Sequence, residues 1–134
     1  MLRGRKRMPE PLVVPWERFQ GQAERVERAR QALLGCLPVG RVDPAPVPVG
    51  LDLLHDELRV VRAELGAWRV EPVDARWEAC RDGIDEALAA VPEARRIAAS
   101  TTELEELLDA VGQCVAPLDA WRDAERSWLR LRVR

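Results

Sequence analysis

The chain has no tyrosine, no asparagine and only one histidine, so several kinds of site are hard to build from it. A nucleophile–His–acid triad or a multi-histidine metal site would depend on His55 alone. The eight glycines form no phosphate-binding loop, and the cysteines, Cys36, Cys80 and Cys114, show no CxxC spacing. We therefore expect no cofactor and no resident metal ion, and we interpret the cysteines as small buried side chains.

The sequence also lacks the run of roughly 18 apolar residues that a membrane-spanning helix needs. The apolar stretch over residues 11–16 is too short and too rich in proline for the core of a signal peptide. Three widely spaced cysteines are not typical of a secreted disulfide framework. We predict a cytoplasmic protein with no membrane span.

Charges of the two signs nearly cancel, with 21 basic and 23 acidic residues and a formal net charge of −2. Such a balance predicts neither nucleic acid nor membrane as a partner of the chain as a whole. Any electrostatic argument must therefore rest on local clusters.

Apolar residues recur at helical spacing through most of the chain. The clearest segment is 51–68, where the apolar positions are separated by three or four residues: Leu51, Leu54, Leu58, Val61, Leu65 and Trp68. Comparable patterns follow in the next two segments, first Val73, Trp77, Cys80, Ile84, Ala87 and Val91, and then Leu104, Leu108, Val111, Val115, Leu118, Trp121 and Trp128. With a helix over residues 15–37, these segments predict an all-α, four-helix bundle.

Prolines and cap residues set the predicted boundaries. Residues 38–50 are rich in proline and are predicted to form a linker between helices 1 and 2. The linker is long enough for helices 1 and 2 to be either parallel or antiparallel. Pro72 follows helix 2 so closely that helices 2 and 3 should form an antiparallel hairpin. We expect Pro92 to kink or restart helix 3 and Pro117 to bend helix 4, which should begin at capping boxes formed by Ser100 or Thr102.

Two segments at the chain ends have no helical period. Residues 1–14 carry Arg3, Arg5, Lys6 and Arg7 and are interpreted as a flexible basic arm, which leaves residues 15–134 as a single domain. Residues 128–134 alternate between apolar and basic side chains, and helix, strand and frayed tail all remain open there.

The two short connections place four tryptophans and many arginines at one end of the bundle, with acids such as Asp52, Asp56 and Glu103 at the other. Trp16 joins the other tryptophans if helix 1 is antiparallel to helix 2. One interpretation is that the tryptophans fill the core. The other is a docking surface, because tryptophan and arginine are enriched at interface hot spots. The candidate partner-binding residues at this end are Trp121, Trp128, Arg122, Arg126, Arg130, Arg69 and Arg76.

The leading functional prediction is a non-enzymatic interaction protein, an adaptor or small subunit of an assembly, that docks another protein at this basic, tryptophan-rich end. The second is a binder of nucleic acid or another polyanion, which would use the arm and the arginines of helix 4. Self-association into a homo-oligomer is also left open.

A third hypothesis is a metal-dependent nucleotide hydrolase. The acidic spacings Glu103-x-x-Glu106-x-x-Asp109 and Asp82-x-x-Asp85 resemble the carboxylate pairs of all-α nucleotide pyrophosphohydrolases of the MazG type. That resemblance implies Mg²⁺ bound by these carboxylates. Asp52-x-x-His55 likewise resembles half of a di-metal site in a helical bundle.

Overall fold

The computed structural model describes residues 5–38 and 45–134 and shows an all-α bundle. Its α-helices are α1 (Val13–Gly35), α2 (Val47–Glu64), α3 (Asp74–Ser100), α4 (Leu104–Val115) and α5 (Ala120–Leu129). Short 3-10 segments precede α1, follow α2, precede α3 and join α4 to α5. Because α4 and α5 continue each other through the segment at Pro117, they occupy the fourth position together, and the predicted four-helix bundle is confirmed.

Contacts between the helices show that each runs antiparallel to its neighbour. Arg25 of α1 pairs with Glu57 of α2 at 3.0 Å, while Gln22, further toward the start of α1, bonds the carbonyl of Glu64 at the end of α2. The sequence left this orientation open. The antiparallel α2–α3 hairpin is confirmed by two ion pairs in opposite sequence order, Arg62 with Asp85 at 2.9 Å and Asp52 with Arg95.

The core positions predicted for α2 and α3 are all buried, whereas those of the fourth helix were only partly right. Leu108 is exposed and Leu104 is half-buried, while Leu107 and Cys114 point into the core. Leucines at positions 104, 107 and 108 allow two neighbouring helical faces, one through Leu104 and Leu108 and one through Leu107. Packing against α3 buries the face that contains Leu107.

Two predicted boundaries were wrong: the start of helix 2 and a restart of helix 3 at Pro92. Helix α2 begins at Val47 rather than after Gly50, because Pro48 lies in the first turn, where a missing N–H costs no hydrogen bond. Helix α3 continues unbroken through Pro92, which is exposed, so that the carbonyl it leaves free can bond water. The part of the predicted linker at residues 39–44 lies outside the described residues.

The capping boxes predicted at the start of helix 4 do not form. Ser100 is the last residue of α3, and Glu103, the N-cap residue of α4, has no side-chain capping bond. Instead, the buried hydroxyl of Thr101 accepts a 3.0 Å hydrogen bond from the backbone N–H of Glu103. The hydroxyl therefore holds the turn between the helices rather than the helix end itself.

Residues of the predicted arm are partly helical and partly paired. Helix α1 begins two residues before Pro15, after a 3-10 turn at Glu10–Leu12. Arg7 and Val133 exchange two backbone hydrogen bonds, of 2.6 and 2.7 Å, in an isolated antiparallel bridge. The bridge is the only β pairing among residues 5–38 and 45–134, and residues 1–4 of the predicted arm lie outside the described part. The division into arm and single domain stays a prediction.

Candidate interaction groove at the tryptophan-rich end

Five aromatic rings from α1, the end of α2 and α5 form one cluster. Phe19 lies at its centre, with ring centroids 4.8 Å from Trp68, 5.7 Å from Trp121 and 6.0 Å from Trp128. Trp16 contacts Phe19 and Trp128 from the outer side, at 5.9 and 5.7 Å. The antiparallel topology brings these rings together, so this end of the bundle has a largely aromatic core.

A buried glutamine fixes one side of the cluster. Gln22 accepts a 2.8 Å hydrogen bond from the indole N–H of Trp68 and donates one of 2.8 Å to the carbonyl of Glu64. The side-chain amide thus provides hydrogen bonds to the Trp68 indole and to a carbonyl in the last turn of α2, where backbone carbonyls have no partner within the helix. Gln22 was not among the residues predicted from the sequence, because a polar residue gives no signal in an apolar pattern; its position three residues after Phe19 on the same helical face was the available clue.

Trp121 and Trp128, predicted as partner-binding residues, belong to the core. Their side chains are only 4% and 0% exposed, so neither can contact a partner in this conformation. For these two residues the core-filling interpretation describes the geometry, and this corrects the predicted site. Their indole N–H groups are buried and have no hydrogen-bond acceptor in the described chain.

Most of the predicted arginines are engaged within the chain. Arg69 pairs with Asp74 at 2.9 Å and lies 4.1 Å from the centre of the Trp77 ring. Arg76 donates a 3.1 Å hydrogen bond to the hydroxyl of Ser127. These interactions join α3 to its neighbouring segments and place both arginines in structural roles.

On α5, Arg122 lies 3.8 Å from Glu27 of α1, and Arg126 lies 3.3 Å from Asp123. Arg130 has no side-chain hydrogen bond or ion pair with any residue of the described ranges. Neighbouring carboxylates therefore offset the charge of Arg122 and Arg126.

A concave surface lies between α1 and α5, next to residues 6–8. The backbones of α1 and α5 do not pack closely, because the large aromatic side chains of the cluster lie between them. The resulting groove has a volume of about 1050 Å³. Its apolar lining is Met8, Val13, Trp16, Phe19, Ala23 and Leu129.

Charged side chains surround this apolar floor. Three of the basic ones have no carboxylate partner. Lys6, Arg7 and Arg132 line the groove and form no ion pair within the described chain. The acids Glu24 and Glu27 are paired, with Arg28 at 3.4 Å and Arg30 at 3.0 Å respectively. Glu125 is the one lining carboxylate without an ion pair among the described residues, so the unpaired charge of the groove is mainly positive.

Several of the acids that suggested a metal site form ion pairs with arginines. Asp85 pairs with Arg62 and Asp82 with Arg81, at 2.9 and 3.1 Å. Asp52 pairs with Arg95, and His55 lies 3.6 Å from its neighbour Asp56. Across residues 5–38 and 45–134, no three His, Cys, Asp or Glu side chains are arranged to hold a metal ion.

The cysteines are free thiols. Burial raises the pKa of Cys80 to about 12, with a further contribution from the charge of Asp123, and burial raises the pKa of Cys114 to about 11. Both thiols therefore stay protonated at neutral pH and are poor nucleophiles. Cys36 is half-buried, and its thiol donates to the carbonyl of Ala32 at 3.2 Å.

None of the helices in the described chain is long and apolar enough to cross a membrane. No protein-family model, no curated protein and no solved structure matches the chain. The proposed function therefore rests on the shape and charge of the groove.

Proposed function

We propose that the chain is a helical-bundle interaction protein, an adaptor or small subunit of an assembly, that binds an amphipathic segment of another protein in the groove between α1 and α5. The observation that carries the proposal is the groove itself, an apolar floor open along one side of the bundle and bordered by unpaired basic side chains. The docking site thus stays at the tryptophan-rich end but moves from the buried tryptophans to Trp16 and the neighbouring lining.

The shape of the groove favours a polypeptide segment over a compact small molecule. Its lining on α1 runs from Val13 to Gln31, a length of about 27 Å at 1.5 Å per residue. Amphipathic helices bind in grooves of this kind by placing an apolar stripe on the floor. Here the floor offers Trp16 and Leu129, both half-buried and so still accessible at the surface.

The charges select the class of partner. Because Lys6, Arg7 and Arg132 have no carboxylate partners in the described chain, acidic side chains beside the apolar stripe of a partner would complement them. We therefore expect a segment with apolar residues at helical spacing and Asp or Glu on its flanks.

The proposal is tested by site-specific crosslinking followed by a binding measurement. A photocrosslinking amino acid replaces Gln20, which lines the groove, or Ala89, which is exposed on α3 and outside the groove lining. In extract of the source organism, a partner should crosslink at position 20 and not at position 89. Equal labelling at both positions would count against the groove.

The purified partner is then titrated with substituted chains in a calorimeter. Trp16→Ala and Arg132→Glu should each weaken binding by about tenfold, equivalent to 1.4 kcal/mol. The control is Arg18→Glu, the same change of charge at an exposed position of α1 that does not line the groove. Parent-like affinity of Arg132→Glu would overturn the proposal, since this exposed substitution leaves the core intact.

Polyanion binding remains the alternative and has fewer free charges to support it, because Arg122 and Arg126 face carboxylates. Titration with duplex DNA and single-stranded RNA at low ionic strength separates the two, since phosphate contacts weaken steeply with salt. The nucleotide hydrolase hypothesis is tested by a calorimetric titration with Mg²⁺ or Mn²⁺, in which it requires heat of binding.

A further inference from the structure

On the side that faces away from the bundle, helix α2 carries a row of four apolar residues interrupted by one aspartate. Its members are separated by four, three, four and three residues, as one face of a helix requires: Val49, Leu53, Asp56, Val60 and Ala63. We name these five residues the outer α2 face. Val49, Leu53 and Val60 are 71%, 44% and 37% exposed. The opposite side of the same helix is fully used, because Leu51, Leu54 and Leu58 are buried in the core.

A single exposed apolar residue on a helix is ordinary, but a row of them at helical spacing on the solvent side is not. Half of the large hydrophobic residues that are exposed in the described chain belong to this one helix. The described α1 and α3 pack along the sides of α2 and leave the outer α2 face uncovered.

We propose that this face binds a second copy of the chain, with the two α2 helices antiparallel about a two-fold axis. Side-chain size favours this direction. In an antiparallel pair centred near residues 57 and 58, the large Leu53 near the start of one helix lies opposite the small Ala63 near the end of the other, and the same contact is made twice. Such reciprocal contacts are what a two-fold interface requires.

The charges give the same orientation. In an antiparallel pair centred near residues 57 and 58, Asp56 of each copy lies opposite Arg59 of the other. A parallel pair would instead set Asp56 against Asp56 and Arg59 against Arg59, which repel. Arg59 has no carboxylate partner within the described chain, and Asp56 contacts only the ring of His55, at 3.6 Å.

The first test is the molar mass of the full chain by sedimentation equilibrium over a range of concentrations. The monomer is 15.1 kDa, and the wild-type chain should approach twice that mass. Leu53→Glu should remain monomeric, whereas Leu108→Glu, at a leucine of α4 that is 43% exposed, should behave as the wild type. Circular dichroism verifies that both variants are folded.

The second test exchanges the charges. Asp56→Arg and Arg59→Asp should each abolish dimerisation, while the double variant and an equimolar mixture of the two single variants should restore it. A wild-type chain that stays monomeric at every soluble concentration overturns the proposal, and so does a dimer that survives Leu53→Glu or a double variant that stays monomeric.

The groove substitution Arg132→Glu should leave the mass unchanged, because that residue lies outside the outer α2 face. Loss of partner binding and loss of dimerisation are therefore measured on different variants. Either proposal can fail without the other.

Discussion

Gly83 of α3 lies so close to Pro117 that a methyl group at position 83 would be 2.3 Å from the Pro117 carbonyl oxygen. The bend between α4 and α5 therefore rests directly on the backbone of α3. Only a residue without Cβ permits this approach.

We predict that Gly83→Ala destabilises the protein, because a backbone oxygen cannot move aside as a flexible side chain can. Overpacking of this kind costs about 1–3 kcal/mol. Urea denaturation measures the change. The control is Gly112→Ala in α4, where an added Cβ meets nothing within 4 Å and should stabilise the helix by about 0.5–1 kcal/mol. Equal stability of the two variants would contradict the close contact.

Gln22→Met should also be destabilising, although it conserves size and adds apolar character. It removes the acceptor of the buried Trp68 indole N–H, and a buried group left unsatisfied costs about 1–3 kcal/mol; it also removes the donor to the Glu64 carbonyl. Gln20→Met on the exposed side of the same helix should change the free energy of unfolding by less than about 0.5 kcal/mol. Thermal unfolding of the two variants gives the comparison, and a neutral Gln22→Met would show that the bridge contributes nothing net.

Stability should fall as pH rises above the ordinary thiol pKa of 9.0. The folded state raises the pKa of Cys80 to about 12 and that of Cys114 to about 11, so between pH 9 and these values the unfolded chain loses thiol protons that the folded chain keeps. This favours unfolding at alkaline pH, and the stabilisation is fully present below pH 9. The absence of tyrosine and the single lysine, Lys6, keep other titrations in this range few.

The measurement is the urea midpoint at pH 8 and pH 10, together with the same pair of midpoints for Cys80→Ala. That variant should show a smaller decrease between the two pH values, whatever its absolute stability. A wild-type midpoint that does not change would show that the two thiols ionise in the folded chain as readily as in the unfolded one.

Arg69 and Arg130 were predicted to have one role, and the structure separates them. Arg69→Ala should cost about 1 kcal/mol, because the guanidinium lies over the Trp77 ring and pairs with Asp74. Arg130→Ala should be neutral for stability, since its side chain has no partner in the described chain. Chemical denaturation followed by tryptophan fluorescence compares them, and equal effects would show that the stacked arrangement adds no stability.

The spacing of apolar residues was sufficient to predict the core residues of α2 and α3, because an uninterrupted apolar row marks the buried face of each helix, whereas the outer α2 face is interrupted by Asp56. It was not sufficient for α4, where Leu104, Leu107 and Leu108 allow two faces. The groove could not be predicted at all, since it depends on how closely α1 and α5 approach, and apolar spacing does not carry that distance. The aromatic cluster was half predictable: the topology placed the rings at one end, but burial of Trp121 and Trp128 is a result of three-dimensional packing.

The bridge between Arg7 and Val133 has a practical consequence for anyone who adds sequence to this protein. It brings the N-terminal segment and the last residues of the chain to the same place, beside Arg132 at the mouth of the groove. Only Arg134 separates the bridge residue Val133 from a purification tag or fusion partner attached after Arg134, so the added sequence starts next to the proposed docking site. Binding measured with a C-terminal tag and with the tag removed should therefore differ, whereas an insertion on the far side of α3 should have no such effect.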